Sequence, residues 1–272
     1  RRVAVRCVGV DALLPGAPGA PRGNPHQAIR SDPRAPVAIF PGAVDGIPPA
    51  EIPGGRYSAR FARSGADLAL VQRLRFEVFN LELQEGLDHS FLTGLDQDDF
   101  DAHCHHLMVV HRPDGAVVGT YRLQTSEMAE AGIGLYTAAE FDLASMPPAV
   151  LTAAAETGRA CVAREHRNGR VLNLLWRGLA AYLKPNPKRY LFGCCSLTSQ
   201  DPHAARNTYD LLAAGSFLHP TIHVEPLPDF ACYEPDFTAD PNVTVKLPSL
   251  FASYLKLKAK ITGEPAIDRQ FK

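Results

Sequence analysis

A glutamate and an arginine lie close together in a segment that is otherwise small and apolar. The segment is Glu156-Thr157-Gly158-Arg159-Ala160-Cys161-Val162, and residues 155–162 predict a β-strand. Charges inside such a strand are costly to bury unless they are paired or functional. Strict alternation places Glu156 and Arg159 on opposite faces, but Gly158 permits a bulge that turns both toward one cleft. Two interpretations stay open: a pair of site residues, or a structural ion pair at a strand end.

The segment that follows indicates an anion site. Residues 164–170 are Arg-Glu-His-Arg-Asn-Gly-Arg, and a helix with Gly169 at its start is predicted over 169–183. Backbone N–H groups at a helix N-terminus attract phosphates, and Arg164, Arg167 and Arg170 add positive charge there. The alternative is a solvated basic loop, the common fate of such residues.

Two further clusters are interpreted as structural. Cys104, His105, His106 and His111 suggest a metal site, but neighbouring strand residues point to opposite faces, and no second cluster has zinc-site spacing. Cys194-Cys195 is assigned to core packing. The sequence has no G-x-S-x-G, H-E-x-x-H, G-x-G-x-x-G or phosphate-binding loop motif. We therefore expect no metal and no nucleophile triad.

The composition of the whole chain excludes several classes of protein. Its 272 residues carry 28 Lys and Arg against 29 Asp and Glu, a net charge of −1, without the basic excess of nucleic-acid-binding domains. No stretch approaches the ~18 apolar residues of a membrane span. The six cysteines form no C-x-x-C pair, which predicts reduced thiols in a cytoplasmic protein.

The elements that must position these residues fall in the second of two predicted regions. Residues 1–56 hold ten Pro, eight Gly and one aromatic residue, which predicts an extended arm. Residues 57–272 predict one domain that alternates helices and strands. We infer an α/β (α+β) fold in which a mixed, mostly antiparallel sheet is flanked by helices.

The predicted elements of this domain follow from caps, breakers and apolar spacing. Ser64 and Asp67 form a capping box before the first helix, and Pro113-Asp114-Gly115 joins two strands in a hairpin. The first helix has the apolar face Val71, Leu74, Val78 and Leu81, and the helix over 169–183 has the stripe Leu172, Leu175, Trp176, Leu179 and Leu183. Strands are predicted over 105–111, 116–124, 155–162, 190–197, 221–225 and 243–247, and later helices between Asp201 and Gly215 and over 250–258.

Several segments of the domain together resemble a known family. A strand, an R-x-x-G-type loop and a helix are similar to the GNAT superfamily of N-acyltransferases. Six blocks resemble its ornithine-lipid-type members, also labelled hemolysin-like: residues 74–79, 96–101 with 104–107, 118–123, 156–159, 190–194 and 263–268. The resemblance covers about residues 57–271 and implies a GNAT-like fold. One departure is Val171, which replaces the second small residue of the family's loop and is expected to hinder close approach of a pyrophosphate.

A second, more distant resemblance is to the acyl-homoserine-lactone synthases. The residues that carry it are Arg75, Phe79, Asp98, Asp101, Arg122, Glu156 and Arg159, which match that family's pattern in order and spacing. Both resemblances imply that the acyl donor is acyl carrier protein rather than coenzyme A. No cofactor is then expected beyond the acyl-phosphopantetheine group of this donor substrate.

The resemblances imply transfer of a long-chain acyl or 3-hydroxyacyl group to the α-amine of an amino acid, with ornithine as the expected acceptor. An α-amine is mostly protonated at neutral pH and must lose a proton before it attacks. Glu156 is the expected base, directly or through a water, and Arg159 is its catalytic neighbour. Backbone N–H groups near Gly158 are expected to support the oxyanion. The amine attacks directly, without a covalent enzyme intermediate.

The remaining site residues receive roles from the resemblance. Five of them are expected to shape the acceptor side: Arg75, Phe79, Asp98, Asp101 and Arg122. The alternative is a salt-bridge network that fixes the first helix over the sheet. Arg164, Arg167, Gly169 and Arg170 form the expected phosphopantetheine loop of the donor, and its three arginines are expected to meet the acidic surface of acyl carrier protein.

Other functions stay open at this point. The acceptor could be glycine or another amino acid, the product could be a homoserine-lactone signal, or the domain could bind acyl carrier protein or lipid without catalysis. Contact with the inner membrane surface is expected only through a lipid product.

Overall fold

The fold is built from seven α-helices and twelve short strands, assigned over the residues that the structure describes. The computed structural model of the protein describes residues 5–10, 44–244 and 246–267. The strands are β1 (Val5–Val10), β2 (Ile52–Gly54), β3 (Tyr57–Phe61), β4 (His105–His111), β5 (Val117–Thr125), β6 (Phe141–Asp142), β7 (Ala154–Val162), β8 (Tyr190–Phe192), β9 (Cys194–Ser196), β10 (Glu225–Pro226), β11 (Lys260–Ile261) and β12 (Ala266–Ile267). The helices are α1 (Gly65–Arg75), α2 (Ser90–Thr93), α3 (Ser126–Ala131), α4 (Pro148–Thr152), α5 (Arg170–Leu183), α6 (Pro202–Ala214) and α7 (Ser249–Lys256). Within this range, no helix is both long enough and apolar enough to cross a membrane.

A six-stranded sheet lies at the centre, in the order β2-β3-β4-β5-β7-β8. Its neighbouring strands are antiparallel except β7 and β8, which are parallel. α1 packs against β5 and β7, while α5 packs against β3, β4 and β5. The predicted α/β architecture, a mostly antiparallel sheet flanked by helices, is confirmed.

The first helix changes its geometry before it ends. Ser64 caps α1 by accepting a hydrogen bond from the backbone N–H of Asp67 at 3.2 Å, as the capping box predicts. α1 then continues as a π-helix over Phe76–Glu82, where the N–H of Leu83 donates to the carbonyl of Val78. The wider π turn moves Leu81 off the predicted apolar face, and its side chain is 56% exposed. π-helical segments are rare and often lie at functional sites.

α5 covers the main hydrophobic core. The helix lies where the sequence predicts it, but its buried stripe is shifted. Leu175 and Leu179 are buried as expected, whereas Leu172 is only half-buried. The rest of the buried face is formed by Val171, Leu174, Gly178 and Tyr182. Gly178 lets α5 approach the sheet closely, because a Cβ there would lie 2.5 Å from a Leu107 methyl group.

The predicted strand over 190–197 is divided at Gly193. β8 pairs with β7 as far as the partners Glu156 and Phe192, but β9 pairs with β1 instead. Only glycine fits at position 193, because a Cβ there would lie 2.0 Å from the carbonyl oxygen of Thr157. β7 and β9 therefore diverge, and the sheet opens at this point.

The two late strands predicted from the sequence are wrong. Residues 221–224 form no strand, and the short β10 pairs only with β6. The described part of 243–247 is irregular as well. The physical reason is the density of proline between residues 220 and 248, because each proline lacks the N–H that a strand ladder needs.

Two described pieces of the N-terminal region pair with the domain. β1 pairs antiparallel with β9, β11 and β12. β2 forms an edge of the central sheet, although all three of its residues precede the predicted boundary at residue 57. The structure therefore differs from a wholly separate arm at these two places, and the remainder of residues 1–43 lies outside the described residues.

Candidate active site

A cavity of about 330 Å³ lies where β7 and β9 diverge. Its charged lining residues are Glu85, Arg122, Glu156 and Arg159. Apolar side chains from α5 and α7 form much of the remaining wall, among them Trp176, Leu179, Phe251 and Tyr254. A concave, mostly apolar site with a few converging polar groups is typical of a ligand pocket.

Glu156 is held in the cavity wall by four hydrogen bonds from neutral donors. Its Oε1 accepts from the backbone N–H and the hydroxyl of Thr137, both at 2.6 Å. Its Oε2 accepts from Gln124 Nε2 at 2.5 Å and from the backbone N–H of Tyr136 at 2.9 Å. The side chain is 5% exposed, so these bonds replace the water that a carboxylate otherwise requires. The charge is therefore stabilised without an arginine or lysine among its hydrogen-bond donors.

A β-bulge brings Arg159 into the same cavity. Thr120 pairs with Cys161 and Arg122 with Gly158, so two residues of β7, Arg159 and Ala160, lie opposite one residue of β5. The predicted bulge is present, but the left-handed backbone conformation is at Arg159 (φ +49°) rather than at Gly158. This conformation overrides strict alternation and places Glu156 and Arg159 in one wall.

Arg159 lies at the cavity side of a buried ion-pair network. Its Nη2 donates to both carboxylate oxygens of Asp96, and its guanidinium lies over the Phe79 ring, 4.9 Å from the centroid. Arg75 is wholly buried, and its Nε donates to Asp96 while Nη1 and Nη2 donate to Asp101. Arg122 completes the network on the cavity side.

Arg122 joins this network to the aromatic side chains beside the cavity. Its Nη1 donates to Asp98 and, at 2.9 Å, to Asp101. Its guanidinium carbon lies 5.4 Å from the ring centroid of Phe100 and 5.6 Å from that of Tyr136. Three arginines thus face three aspartates, so the formal charges of the network cancel.

The pKa values of the buried aspartates follow from this pairing. Burial alone would raise the pKa of Asp101, but Arg75 and Arg122 outweigh it and hold that pKa far below its usual range. Asp96 likewise has a lowered pKa, because Arg159 and Arg75 outweigh its burial. Both carboxyls therefore stay ionised at neutral pH.

The loop before α5 lies at the surface, outside the cavity lining. Gly169 has φ +77°, a conformation that favours glycine, and it directly precedes α5. Arg164 and Arg170 are exposed. Arg167 is already paired, since Nη1 and Nη2 donate to Glu82 at 2.6 and 2.8 Å.

Comparison with known proteins identifies the family of this chain. The family model described as an acetyltransferase (GNAT) domain matches residues 74–177. The L-ornithine N(alpha)-acyltransferase of Brucella abortus (strain 2308) is 33% identical over 240 residues, which cover 80% of this chain and 81% of that protein. The chain belongs to the L-ornithine N(alpha)-acyltransferase family. The protein of the same name from Rhizobium meliloti (strain 1021) is 30% identical over 232 residues, covering 78% of this chain and 76% of that one.

The family resemblance inferred from sequence is thereby confirmed, and the protein is an acyltransferase of the GNAT type. Among solved structures, the AHL synthase LasI is similar to this chain, with 18% identity and a TM-score of 0.36 over 50% of this chain and 71% of that one.

The predicted site residues that precede the loop before α5 fall into two groups. Phe79, Arg122, Glu156 and Arg159 line the cavity. Arg75, Asp98 and Asp101 do not line it, and their ion pairs join α1 and the segment after α2 to the sheet. Asp268, in the last of the resembling blocks, lies outside the described residues.

The steric expectation at Val171 is wrong. Its side chain is fully buried in the core, and a Cβ on Gly119 of β5 would lie 2.6 Å from its Cγ1. Val171 thus points toward the sheet, so it does not obstruct the loop that precedes α5.

The Cys and His residues that suggested a metal site have ordinary structural partners. His105 Nδ1 bonds to the Tyr182 hydroxyl at 2.9 Å, while His106 Nε2 bonds to the Asp101 carbonyl on the opposite face of β4. Burial raises the pKa of the Cys104 thiol to about 12, so it is not a ready nucleophile at neutral pH. Across residues 5–10, 44–244 and 246–267, no group of three His, Cys, Asp or Glu side chains is arranged to hold a metal.

Four residues of the site were not assigned from the sequence: Asp96, Gln124, Tyr136 and Thr137. Asp96 carried a signal, because it begins the acidic run. Gln124 lies opposite Glu156 in the register of β5 and β7, which the chain alone does not reveal. Tyr136 and Thr137 lie in a 3₁₀ turn with no recognisable pattern.

Proposed function

We propose that this enzyme transfers a long-chain acyl or 3-hydroxyacyl group from acyl carrier protein to the α-amine of ornithine, giving an N-acylornithine lipid. The names of its relatives support ornithine as the acceptor. One observation carries the proposal. The same cavity is lined by the Glu156 carboxylate, by the Arg159 guanidinium and by a wall of apolar side chains.

In this proposal the acceptor carboxylate binds Arg159. The Nε–H of Arg159 is buried in the cavity wall, and none of the described residues accepts a hydrogen bond from it. A buried donor without an acceptor is costly, so a bound carboxylate would relieve this cost. Arg75, Asp98 and Asp101 act on the acceptor indirectly, because they hold Arg122 and, through Asp96, Arg159 in position.

Glu156 is the proposed proton acceptor. The α-ammonium group of ornithine first loses one proton to solvent. The neutral amine then attacks the thioester carbonyl, a C–N bond forms and the C–S bond breaks, so that the phosphopantetheine leaves as a thiolate. As the amide forms, the nitrogen loses its second proton, which Glu156 receives and later releases to solvent. Backbone N–H groups at the bulge around Gly158 are proposed to stabilise the oxyanion of the tetrahedral intermediate.

The apolar wall is proposed to hold the acyl chain. Leu191, Phe192 and Trp176 contribute to it, together with side chains from α7. Each buried methylene group gains about 0.8 kcal/mol on leaving water, so a chain of several carbons would bind firmly there. A cavity of about 330 Å³ is at the lower end of ordinary ligand pockets.

The loop before α5 is proposed to meet the acyl carrier protein. Arg164 and Arg170 are exposed and could pair with an acidic partner, while Arg167 is held by Glu82 and orders the loop. Gly169 leaves the approach to the start of α5 open, since a Cβ there would meet nothing within 4 Å. A bound N-acylornithine product would bring the enzyme to the inner membrane surface, where the lipid is released.

Mass spectrometry of lipid extracts tests the proposal. Cells that supply ornithine and 3-hydroxyacyl carrier protein would express the wild-type protein or Glu156→Gln. We expect a new N-acylornithine only with the wild-type protein. A new lipid with a different amino acid would replace ornithine as the acceptor. No new lipid would overturn the proposed reaction, and equal product from both proteins would remove Glu156 as the base.

A further inference from the structure

The hydrogen bonds of Glu156 restrict how a proton can reach it. Each carboxylate oxygen accepts about two hydrogen bonds in the plane of the group. Oε1 already accepts two from Thr137, and Oε2 accepts one each from Gln124 and Tyr136. An amine that transferred a proton directly would have to displace one of these donors. The proton must therefore arrive through a donor that is already bound.

The four donors differ in what they can exchange. Two are backbone N–H groups and one is a side-chain amide, and all three can only donate. The Thr137 hydroxyl can donate and accept at the same time. It therefore can pass its own proton to Glu156 while it accepts another one.

We propose that Thr137 is a catalytic residue that relays the amine proton to Glu156, an inference that rests on the proposed acyl transfer. As the C–N bond forms, the nitrogen transfers one proton to Thr137 Oγ1. The hydroxyl proton of Thr137 moves to Glu156 Oε1 in the same step. The hydroxyl is restored, Glu156 becomes a neutral carboxylic acid, and the C–S bond of the donor then breaks.

The position of Thr137 supports this role. Thr137 lines the cavity but is wholly buried, and its hydroxyl lies between Glu156 Oε1 at 2.6 Å and the cavity-lining Cys194 Sγ at 3.7 Å, so the substrate amine reaches Oγ1 by displacing the Cys194 thiol. Its backbone N–H donates to the same Oε1, so the residue is fixed at two points against the carboxylate. The hydroxyl is thus pre-oriented for transfer, and ordering it during the reaction costs little.

Substitutions at Thr137 and Gln124 separate a relay from a structural hydrogen bond. Thr137→Val has nearly the same shape but lacks the hydroxyl, whereas Thr137→Ser keeps it. Gln124→Met is the matched control, because it removes an equally short hydrogen bond to the same carboxylate from a donor that cannot relay. Each purified full-length variant is given acyl carrier protein loaded with a 3-hydroxyacyl chain, and ornithine, in single-turnover reactions.

We expect Thr137→Val to slow acyl transfer by about 100-fold, Thr137→Ser to restore it to within about fivefold, and Gln124→Met to slow it by less than about tenfold. In mixtures of H₂O and D₂O, the wild-type rate should depend on the deuterium fraction along a curve, because two protons move in the same step. Thr137→Val should lose that curvature.

Three results overturn the relay: rapid transfer by Thr137→Val, equal losses in Thr137→Val and Gln124→Met, or one proton in flight in the wild-type enzyme. These results leave the acyl transfer itself intact. If the wild-type protein acylates no amino acid, the proposed function and the relay fall together.

Discussion

Two buried charged regions lie side by side in this acyltransferase, and they are stabilised in different ways. In the network of Arg75, Arg122 and Arg159 with Asp96, Asp98 and Asp101, opposite charges compensate each other. In the cavity wall, the Glu156 carboxylate is held only by neutral donors. Both regions bury charge, but only the second keeps its carboxylate apart from a guanidinium partner.

The difference indicates a division of tasks. Arginine partners lower the pKa values of Asp96 and Asp101, so a proton is poorly bound by either carboxylate at neutral pH. Such groups suit the attachment of α1 to the sheet. Among the described residues, the Glu156 carboxylate takes part in no ion pair, so it does not serve to join one element to another through an arginine.

The largest expected effect comes from breaking the network at its centre. Arg75→Met keeps most of the side-chain volume but leaves Asp96 and Asp101 with one buried partner fewer. We expect the free energy of unfolding to fall by about 3–5 kcal/mol, measured by urea denaturation.

The matched control is a more exposed ion pair that joins β3 to the same helix, α1. Arg60 pairs with Asp67, with side chains 28% and 15% exposed. Arg60→Met should lower the free energy of unfolding by no more than about 1 kcal/mol. Equal effects from the two substitutions would contradict the structural role of the network.

The network also predicts acid sensitivity through His106. Burial lowers the pKa of His106 to about 4, from an ordinary value of 6.5, although Asp101 opposes the shift. The unfolded chain therefore binds a proton below about pH 6.5 that the folded protein does not bind until about pH 4. The free energy of unfolding should fall by up to about 3 kcal/mol over this interval.

His106→Gln tests that origin, because its amide can still donate to the Asp101 carbonyl that His106 contacts at 3.0 Å. Denaturation between pH 7 and pH 4 should show a shallower decline in this variant than in the wild type. An unchanged decline would assign the acid sensitivity to other groups.

A substitution in the cavity wall should instead change which donor chain lengths the enzyme prefers. Ala259 lines the apolar part, and Ala259→Phe would take space from the acyl chain. We expect kcat/KM for long-chain donors to fall by about tenfold or more, while short-chain donors are affected less. Equal losses for donors of every length would show that the chain does not reach this wall.

The smallest expected effect concerns the exposed loop. Arg164→Glu and Arg170→Glu, each made alone, should raise KM for the carrier-protein donor several-fold at low salt, and the difference should shrink at high salt. Arg73→Glu, on the exposed side of α1, is the charge-matched control for each of them. If all three changes act alike, the loop has no specific role in docking.

Local patterns predicted much of the fold, because caps, turns and strand alternation act over short distances. The caps at Ser64 and Asp201 and the hairpin around Gly115 are present. The division at Gly193 was not foreseen, since it depends on the Thr157 carbonyl of another strand. Leu81 was misplaced because a π-helix interrupts the helical period.

Only part of the site could be predicted, because some of its contacts join residues that are far apart in the sequence. Glu156 and Arg159 were noticeable as charges in an apolar strand. Their partners were not, because Gln124 and Thr137 approach Glu156 from distant parts of the chain. Sequence spacing also could not separate the network aspartates from cavity residues, because that distinction depends on which arginine each one contacts.

The division between catalysis by Glu156 and stabilisation by the ion-pair network is tested most directly by one paired experiment. Single-turnover acyl transfer and urea denaturation are both measured on Glu156→Gln and on Arg75→Met. We predict that Glu156→Gln slows acyl transfer by at least about 100-fold while losing no more than about 2 kcal/mol of unfolding free energy. Arg75→Met should lose more stability than that. A Glu156→Gln enzyme that acylates ornithine at the wild-type rate would contradict the account.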